Sequence, residues 1–396
     1  MGRTAENLEQ FAIDVILERR HGVRAGMLRG ILYALSFVYE WIVQARLYFY
    51  RKRIFRERTL GCLVISIGNL TVGGTGKTPI VEKFARALQA GGRRVAILSR
   101  GYKSVPRPSK RTFWDRLRGD DEDPPRVVSD GQSLLLDSLT AGDEPYMLAH
   151  NLKDVIVLVD KNRVKCGRLA IDKWGVDTLL LDDGMQFLHL KHRLDIVLID
   201  RQAPFGNEFL LPRGTLREPP RNLRRASYIF ITKCTGDPNT ELIERIRKYN
   251  RTAEIIECSH KPLYLQNIAT GEQVPLDRLR NAFIGSICAI AAPESFEDGL
   301  RKLGANLNLS KSYIDHHRFT EAEMQSFINR CVRRDLAMIV TTEKDAVRMP
   351  RMGETPVPIC FLRVEIEILS GQESWEHCVA RICKPQPMLS PERYFA

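Results

Sequence analysis

The residues best suited to chemistry fall in one run: Thr71, Val72, Gly73, Gly74, Thr75, Gly76, Lys77 and Thr78. Gly73, Gly74 and Gly76 let the backbone turn with its N–H groups facing inward. Lys77 adds a positive charge, and a hydroxyl at the position of Thr78 ligates the Mg²⁺ of a bound polyphosphate. A strict G-x-x-x-x-G-K-[ST] loop needs glycine at 71, where threonine stands. The flanks favour phosphate binding over an idle turn. Residues 62–67 are a short apolar, β-branched run that reads as a buried strand. From Thr78 onward, Ile80, Val81, Phe84, Ala85 and Leu88 recur at helical spacing until Gly91-Gly92. A helix N-terminus after a glycine loop is an anion site, which points to ATP or a related nucleotide.

Acids and a histidine pair follow at separate places. Asp182 and Asp183 close the apolar run 177–181, at the strand end where a P-loop enzyme places its Mg²⁺-organising acid; Asp-Asp-Gly is also a turn sequence. Asp143 and Glu144 open a helix, where the dipole favours acids, and position alone assigns Asp143 no more than that. Residues 315–320, DHHRFT, set a histidine beside an aspartate on a loop; on its own such a pair is surface. The Gly/Pro-dense loop 204–226 carries Arg213, Arg217, Arg221, Arg224 and Arg225, which can clamp phosphates or simply be solvated.

These groups need a scaffold, and 396 residues with 44% hydrophobic content allow two domains with sizeable cores. A net charge of +12 favours anionic partners. Nine cysteines without a C-x-x-C pair or zinc spacing fit a reduced compartment. Residues 27–50 form an apolar, aromatic-rich helical face, followed by Arg51, Lys52, Arg53, Arg56 and Arg58; this suits the interface of an anionic membrane. Arg29, Glu40 and Arg46 interrupt it, which leaves the run short for a span, and packing on the protein's own core is the alternative. Residues 103–126, rich in Pro, Lys, Arg and Asp, read as an exposed loop. Strand and helix patterns then alternate to the C-terminus, which predicts an α/β, P-loop NTPase-like fold with doubly wound parallel sheet. The expected division is an N-terminal amphipathic helical segment (1–58), an ATP-binding domain (59–232) and a smaller α/β domain (233–396).

Taken in order, GNLTVGGTGKTP (68–79), SRGY (99–102), AGDEP (141–145), LDDGMQF (181–187), LDIVLID (194–200), PFGNEFLLPRGTLREP (204–219), DHHRFT (315–320) and TTEKDAV (341–347) resemble the tetraacyldisaccharide 4′-kinase family. That family's loop also lacks the first glycine. The resemblance implies transfer of the ATP γ-phosphate to the 4′-hydroxyl of a tetraacyldisaccharide 1-phosphate, at the cytoplasmic face of the bacterial inner membrane. It implies ATP and Mg²⁺ as cofactors, a lipid substrate, an anionic membrane surface as partner, a monomer, and no nucleic acid. Residue by residue, it makes Asp143 the catalytic aspartate and His316 its partner, and adds Glu218 to Thr78, Asp182 and Asp183 near the metal. Phe187 stands where the family commonly has histidine, whose part is then absent or supplied by another residue such as His189 or His192, and Arg213 where it commonly has alanine. A P-loop ATPase or GTPase switch is the competing class; it needs no Asp–His pair on the acceptor side. A nucleic-acid-binding module rests on charge alone.

Overall fold

The computed structural model describes residues 11–101, 104–105 and 123–384; most of the 103–126 loop lies outside the described residues. The first half contains α1 (Val23–Arg51), β1 (Leu63–Asn69), α2 (Lys77–Ala90), β2 (Val95–Ser99), β3 (Arg126–Asp130), α3 (Ser138–Ala141) and α4 (Asp143–Asn151). It continues with β4 (Ile156–Val159), α5 (Arg163–Trp174), β5 (Thr178–Asp182), β6 (Leu194–Asp200) and β7 (Tyr228–Thr232). The second half contains α6 (Thr240–Arg247), β8 (Glu254–Asn267), β9 (Gln273–Val274), β10 (Phe283–Cys288), α7 (Pro293–Lys302) and β11 (Asn306–Ser312). It ends with α8 (Glu321–Val332), β12 (Met338–Thr342), α9 (Glu343–Ala346), β13 (Ile359–Ser370) and α10 (Gln372–Cys383).

All strands join one sheet in the order β11-β10-β12-β13-β8-β7-β6-β1-β5-β2-β4-β3, with β9 on β8. Every residue of β1 is buried, as a central strand covered by helices on both faces requires. Its neighbours β5 and β6 run parallel to it, and the register sets Ile67 opposite Asp182. The glycine loop and the acidic strand end therefore emerge side by side at the C-terminal edge of the sheet. Gly68 permits this: a Cβ there would meet Met185 Cβ at 2.8 Å, so the turn after β5 closes against bare backbone.

The expected break at 232/233 is not a break in the sheet. β7 pairs in parallel with β8, and β8 pairs antiparallel with β13 along most of its length. These two long strands form a ribbon whose other end carries β12. The last helix α10 returns to the P-loop core, where Trp375 meets Phe84 edge-on at 4.6 Å between ring centroids. The sheet also departs from all-parallel at β3, which pairs antiparallel with β4 at the edge. Helix α1 runs unbroken for 29 residues and by length and composition can cross a membrane, so its charges do not shorten it as expected.

Candidate active site

The glycine loop is pinned at both ends. Val72 N donates to Thr215 O at 2.7 Å, Arg217 N donates to Leu70 O at 2.7 Å, and Thr71 bridges Leu216. On the other side Thr232 Oγ1 donates to Thr75 O at 3.0 Å. Gly76 adopts φ 76° as the N-cap of α2, a left-handed conformation that glycine takes without strain. Its missing Cβ leaves room for His260, whose ring atoms would stand 3.0 Å from one.

Lys77 Nζ donates to Asn69 Oδ1 at 3.2 Å and lies 3.6 Å from Asp183 Oδ1. Arg217 holds both oxygens of Asp183, at 2.7 and 2.8 Å. Burial works to raise the Asp183 carboxyl, but the Arg217 hydrogen bonds and Lys77 together hold it well below the usual carboxylate range. Asp182 behaves oppositely. Burial first, then the charges of Glu144 and Asp183, push it up to about 6. Ser99 Oγ donates to its Oδ2 at 3.0 Å, while its buried Oδ1 has no hydrogen-bond partner.

The expected acidic metal set is not assembled. Among the described residues no group of three or more His, Cys, Asp or Glu side chains is placed to share a metal ion. Glu218 is buried and engaged: Gln186 donates to Oε1 at 3.1 Å, and Asn222 and Arg225 donate to Oε2 at 2.8 and 2.6 Å. Glu218 is paired with Arg225 and Asp183 with Arg217. Asp182 fits a cation, because its free buried oxygen lacks a donor.

Asp143 and His316, 173 positions apart in sequence, do meet. His316 Nδ1 lies 3.3 Å from Asp143 Oδ2. Asp143 also accepts from Arg318 Nη2 at 2.9 Å and from Arg348 Nε at 2.8 Å. Burial opposes the charge on Asp143, and His316, Arg348 and Arg318 outweigh it, so the carboxyl stays below its ordinary value. Lys344 joins this pair to the nucleotide side. Its Nζ lies 3.5 Å from His316 Nε2 and 3.3 Å from Glu144 Oε1, and Glu144 is the first charge felt by Asp182. The His316–His317 pair is thus not surface: His316 has only 15% of its side chain exposed, and His317 stacks on Tyr313 at 4.5 Å.

The arginine loop is mostly committed to acids rather than left solvated. Arg213 pairs with Glu18 at 2.6 Å, Arg217 with Asp183, Arg221 with Glu40 at 2.6 Å and Arg225 with Glu218. Arg213, where the family commonly has alanine, therefore ties the N-terminal segment down. Phe187 lies under Arg163, 5.0 Å from ring centroid to guanidinium, and Arg163 Nη2 donates to Asp182 O at 3.0 Å. Of the two histidines named as substitutes, His189 bonds the Tyr50 hydroxyl at 3.0 Å and His192 pairs with Asp195 at 2.9 Å. Sequence reasoning missed Ser99, Arg163, Arg318 and Arg348. Ser99 and Arg318 carried a signal, lying inside SRGY and DHHRFT.

A family model described as tetraacyldisaccharide-1-P 4′-kinase matches residues 28–384. The tetraacyldisaccharide 4′-kinase of Syntrophus aciditrophicus (strain SB) is 38% identical over 371 residues, covering 89% of this chain and 93% of that one. The enzyme of that name from Anaeromyxobacter dehalogenans (strain 2CP-C) is 38% identical over 336 residues, 84% of each. Among solved structures, the LpxK of Aquifex aeolicus in complex with ATP superposes with a TM-score of 0.68 at 29% identity, over 90% of this chain and 99% of that one.

Proposed function

The chain belongs to the tetraacyldisaccharide-1-P 4′-kinase family, and from that premise we propose that it transfers the γ-phosphoryl group of ATP to the 4′-hydroxyl of a tetraacyldisaccharide 1-phosphate in lipid A biosynthesis. The observation that carries this reading is the presence, beside a P-loop, of an Asp143–His316 couple whose histidine is linked through Lys344 to Glu144. A nucleotide-hydrolysing switch needs the loop but not the couple.

The loop backbone from Thr71 to Thr78 binds the polyphosphate, with Lys77 on its β- and γ-oxygens. Thr78 and Asp182 are the residues that would hold Mg²⁺, whose charge neutralises the transferring phosphoryl group. Asp143, flanked by two arginines, remains ionised and orients His316. His316 accepts the 4′-hydroxyl proton as the new O–P bond forms and the β–γ bridge bond breaks, releasing ADP. Positioning of the two substrates and charge neutralisation by Lys77 supply most of the acceleration.

The lipid is met at the cytoplasmic face of the inner membrane through α1. One side of α1 is docked on the protein through Tyr33, Tyr39, Gln44 and Tyr50, between residues 33 and 50. A helix held along its length against the catalytic body lies at the interface rather than across the bilayer, because a crossing would carry that body into lipid. The enzyme acts as a monomer on this surface.

The test is transfer of γ-³²P from Mg-ATP to a tetraacyldisaccharide 1-phosphate in mixed micelles. Wild type is expected to label the lipid, and Lys77→Ala to lose both labelling and ATP affinity. Asp143→Ala and His316→Ala should lose about a hundredfold or more in kcat with ATP binding retained. Phosphate release without labelled lipid would overturn the kinase reading in favour of the switch.

A further inference from the structure

Arg348 is the most completely buried charge next to the Asp143–His316 couple, with 0% of its side chain exposed. Four of its five donors are each placed on a different group. Nε donates to Asp143 Oδ2 at 2.8 Å, and Nη1 donates to Ala289 O and to Asp345 Oδ1, both at 3.0 Å. Nη2 lies 2.9 Å from His316 Nδ1. Asp345 is itself fixed, accepting from Ala289 N at 3.0 Å and Thr342 Oγ1 at 2.7 Å. The guanidinium therefore has little freedom to turn.

This geometry decides where the imidazole proton sits. A guanidinium has donors and no acceptor, so a ring nitrogen 2.9 Å from Nη2 must offer its lone pair. A neutral His316 then carries its proton on Nε2. The direct Nδ1 to Asp143 Oδ2 separation is longer, 3.3 Å, and is a hydrogen bond only when Nδ1 carries the proton. What links the two residues is Arg348, through Nε on the carboxylate and Nη2 on the ring.

We propose that Arg348 is the positioning residue of the Asp143–His316 couple and that it holds the neutral ring as the Nε2–H tautomer, a resting form that cannot take a proton at Nε2. The proposal rests on the phosphotransfer reading given above. For His316 to act as base, Nδ1 must exchange Arg348 for Asp143, so that Nδ1–H donates to Oδ2 and Nε2 is unprotonated. The ring's single proton leaves Nε2 for solvent and another arrives at Nδ1; the 4′-hydroxyl proton then goes to Nε2, leaving an imidazolium beside the Asp143 carboxylate. Among the described residues Lys344 Nζ at 3.5 Å and Asp315 Oδ2 at 3.9 Å face Nε2. The ammonium is also donor-only, but its contact is longer than the 2.9 Å from Arg348 to Nδ1, which therefore sets the tautomer.

The experiment is two-bond ¹⁵N–¹H correlation spectroscopy on the full chain in detergent micelles, with ¹⁵N-histidine and the His316 signal assigned from its loss in His316→Gln. The wild-type ring, when neutral, is expected as Nε2–H. Arg348→Lys, which keeps the charge but removes the fork, is expected to move it to Nδ1–H with KM for ATP within twofold. The wild-type spectrum needs no variant that must fold. A neutral Nδ1–H ring in wild type, or an unmoved tautomer in folded Arg348→Lys, overturns the proposal. Loss of lipid phosphorylation in His316→Gln supports the reading beneath it, whereas full transfer in that variant overturns the reading and the proposal together.

Discussion

At the residue scale, two buried groups titrate in opposite senses, and this gives the site a pH signature. Asp182 is raised to about 6, chiefly by burial, so below that pH it is protonated and cannot serve a cation. Mg-ATP binding should weaken as pH falls through about 6, and Asp182→Asn should bind weakly with that dependence gone; isothermal titration between pH 5 and 8 checks it. The same shift acts on stability. A carboxyl whose folded pKa lies above its unfolded value of about 3.9 favours the fold at low pH and loses that contribution as pH rises through about 6. His260, beside the glycine loop, is lowered to about 4 by burial and by Lys233. It favours the fold above about 6.5 and loses that contribution as pH falls towards 4. Thermal melts of the ligand-free chain across pH 4–6.5 should therefore change slope in opposite directions in Asp182→Asn and His260→Gln. Parallel changes would show that neither residue controls the slope.

At the element scale, the P-loop works because α2 is held from three sides. Gly76→Ala places a methyl against the His260 ring at a positive φ. ATP affinity should fall at least about tenfold, with the strain in the loop costing about 1–3 kcal/mol. On its far face α2 carries Glu82, which accepts from Arg363 of β13, and Arg363 also reaches Glu343 of α9 at 2.6 Å. All three side chains are about nine-tenths buried. Arg363→Met leaves buried Glu343 with Asn151 as its donor and no cation, while Glu82 keeps Arg86, and removal of one partner from such a network costs up to about 3–5 kcal/mol. Denaturant melts should record that loss, and an unchanged midpoint would mean that the two halves are held by the sheet alone. This network also shows why part of the site was illegible in sequence. The glycine loop, β1 and the Asp182 strand end announce themselves by local periodicity and turn chemistry within about 30 residues. Arg348 reaches Asp143 across 205 positions and Arg363 reaches Glu82 across 281, and no spacing rule spans such distances. Two elements were nonetheless readable. ICFLRVEIEILS at 359–370 alternates as a half-buried strand should, and the Trp375-x-x-Cys378-x-x-x-Ile382 face of α10 repeats at helical spacing.

At the scale of the whole molecule, α1 and the glycine-loop site share a residue, Arg217. Tyr39 on α1 donates to the carbonyl of Arg217 at 3.0 Å, while the Arg217 guanidinium holds Asp183 beside Lys77. The docked side of α1 thus faces the catalytic edge, and the opposite side presents Met27, Ile31, Leu35, Val38, Trp41 and Ile42 to the exterior, with Trp41 72% exposed. The basic residues after α1 lie at one end of that apolar face, where an anionic lipid surface would meet them. Trp41→Glu with Ile42→Glu removes two large side chains from the lipid-facing side and touches none of the docking contacts. With about 1.5–3 kcal/mol for each buried apolar side chain, partitioning to vesicles containing anionic lipid should drop about a hundredfold or more. ATP affinity in solution should be unchanged, since the altered side chains point away from Arg217. Raising the salt concentration should weaken wild-type binding through screening of the arginines but leave an apolar remainder. Vesicle flotation with both proteins at low and high salt separates the two contributions. Undiminished flotation of the double variant would mean that the basic cluster, and not the exposed face of α1, holds the enzyme at the lipid surface.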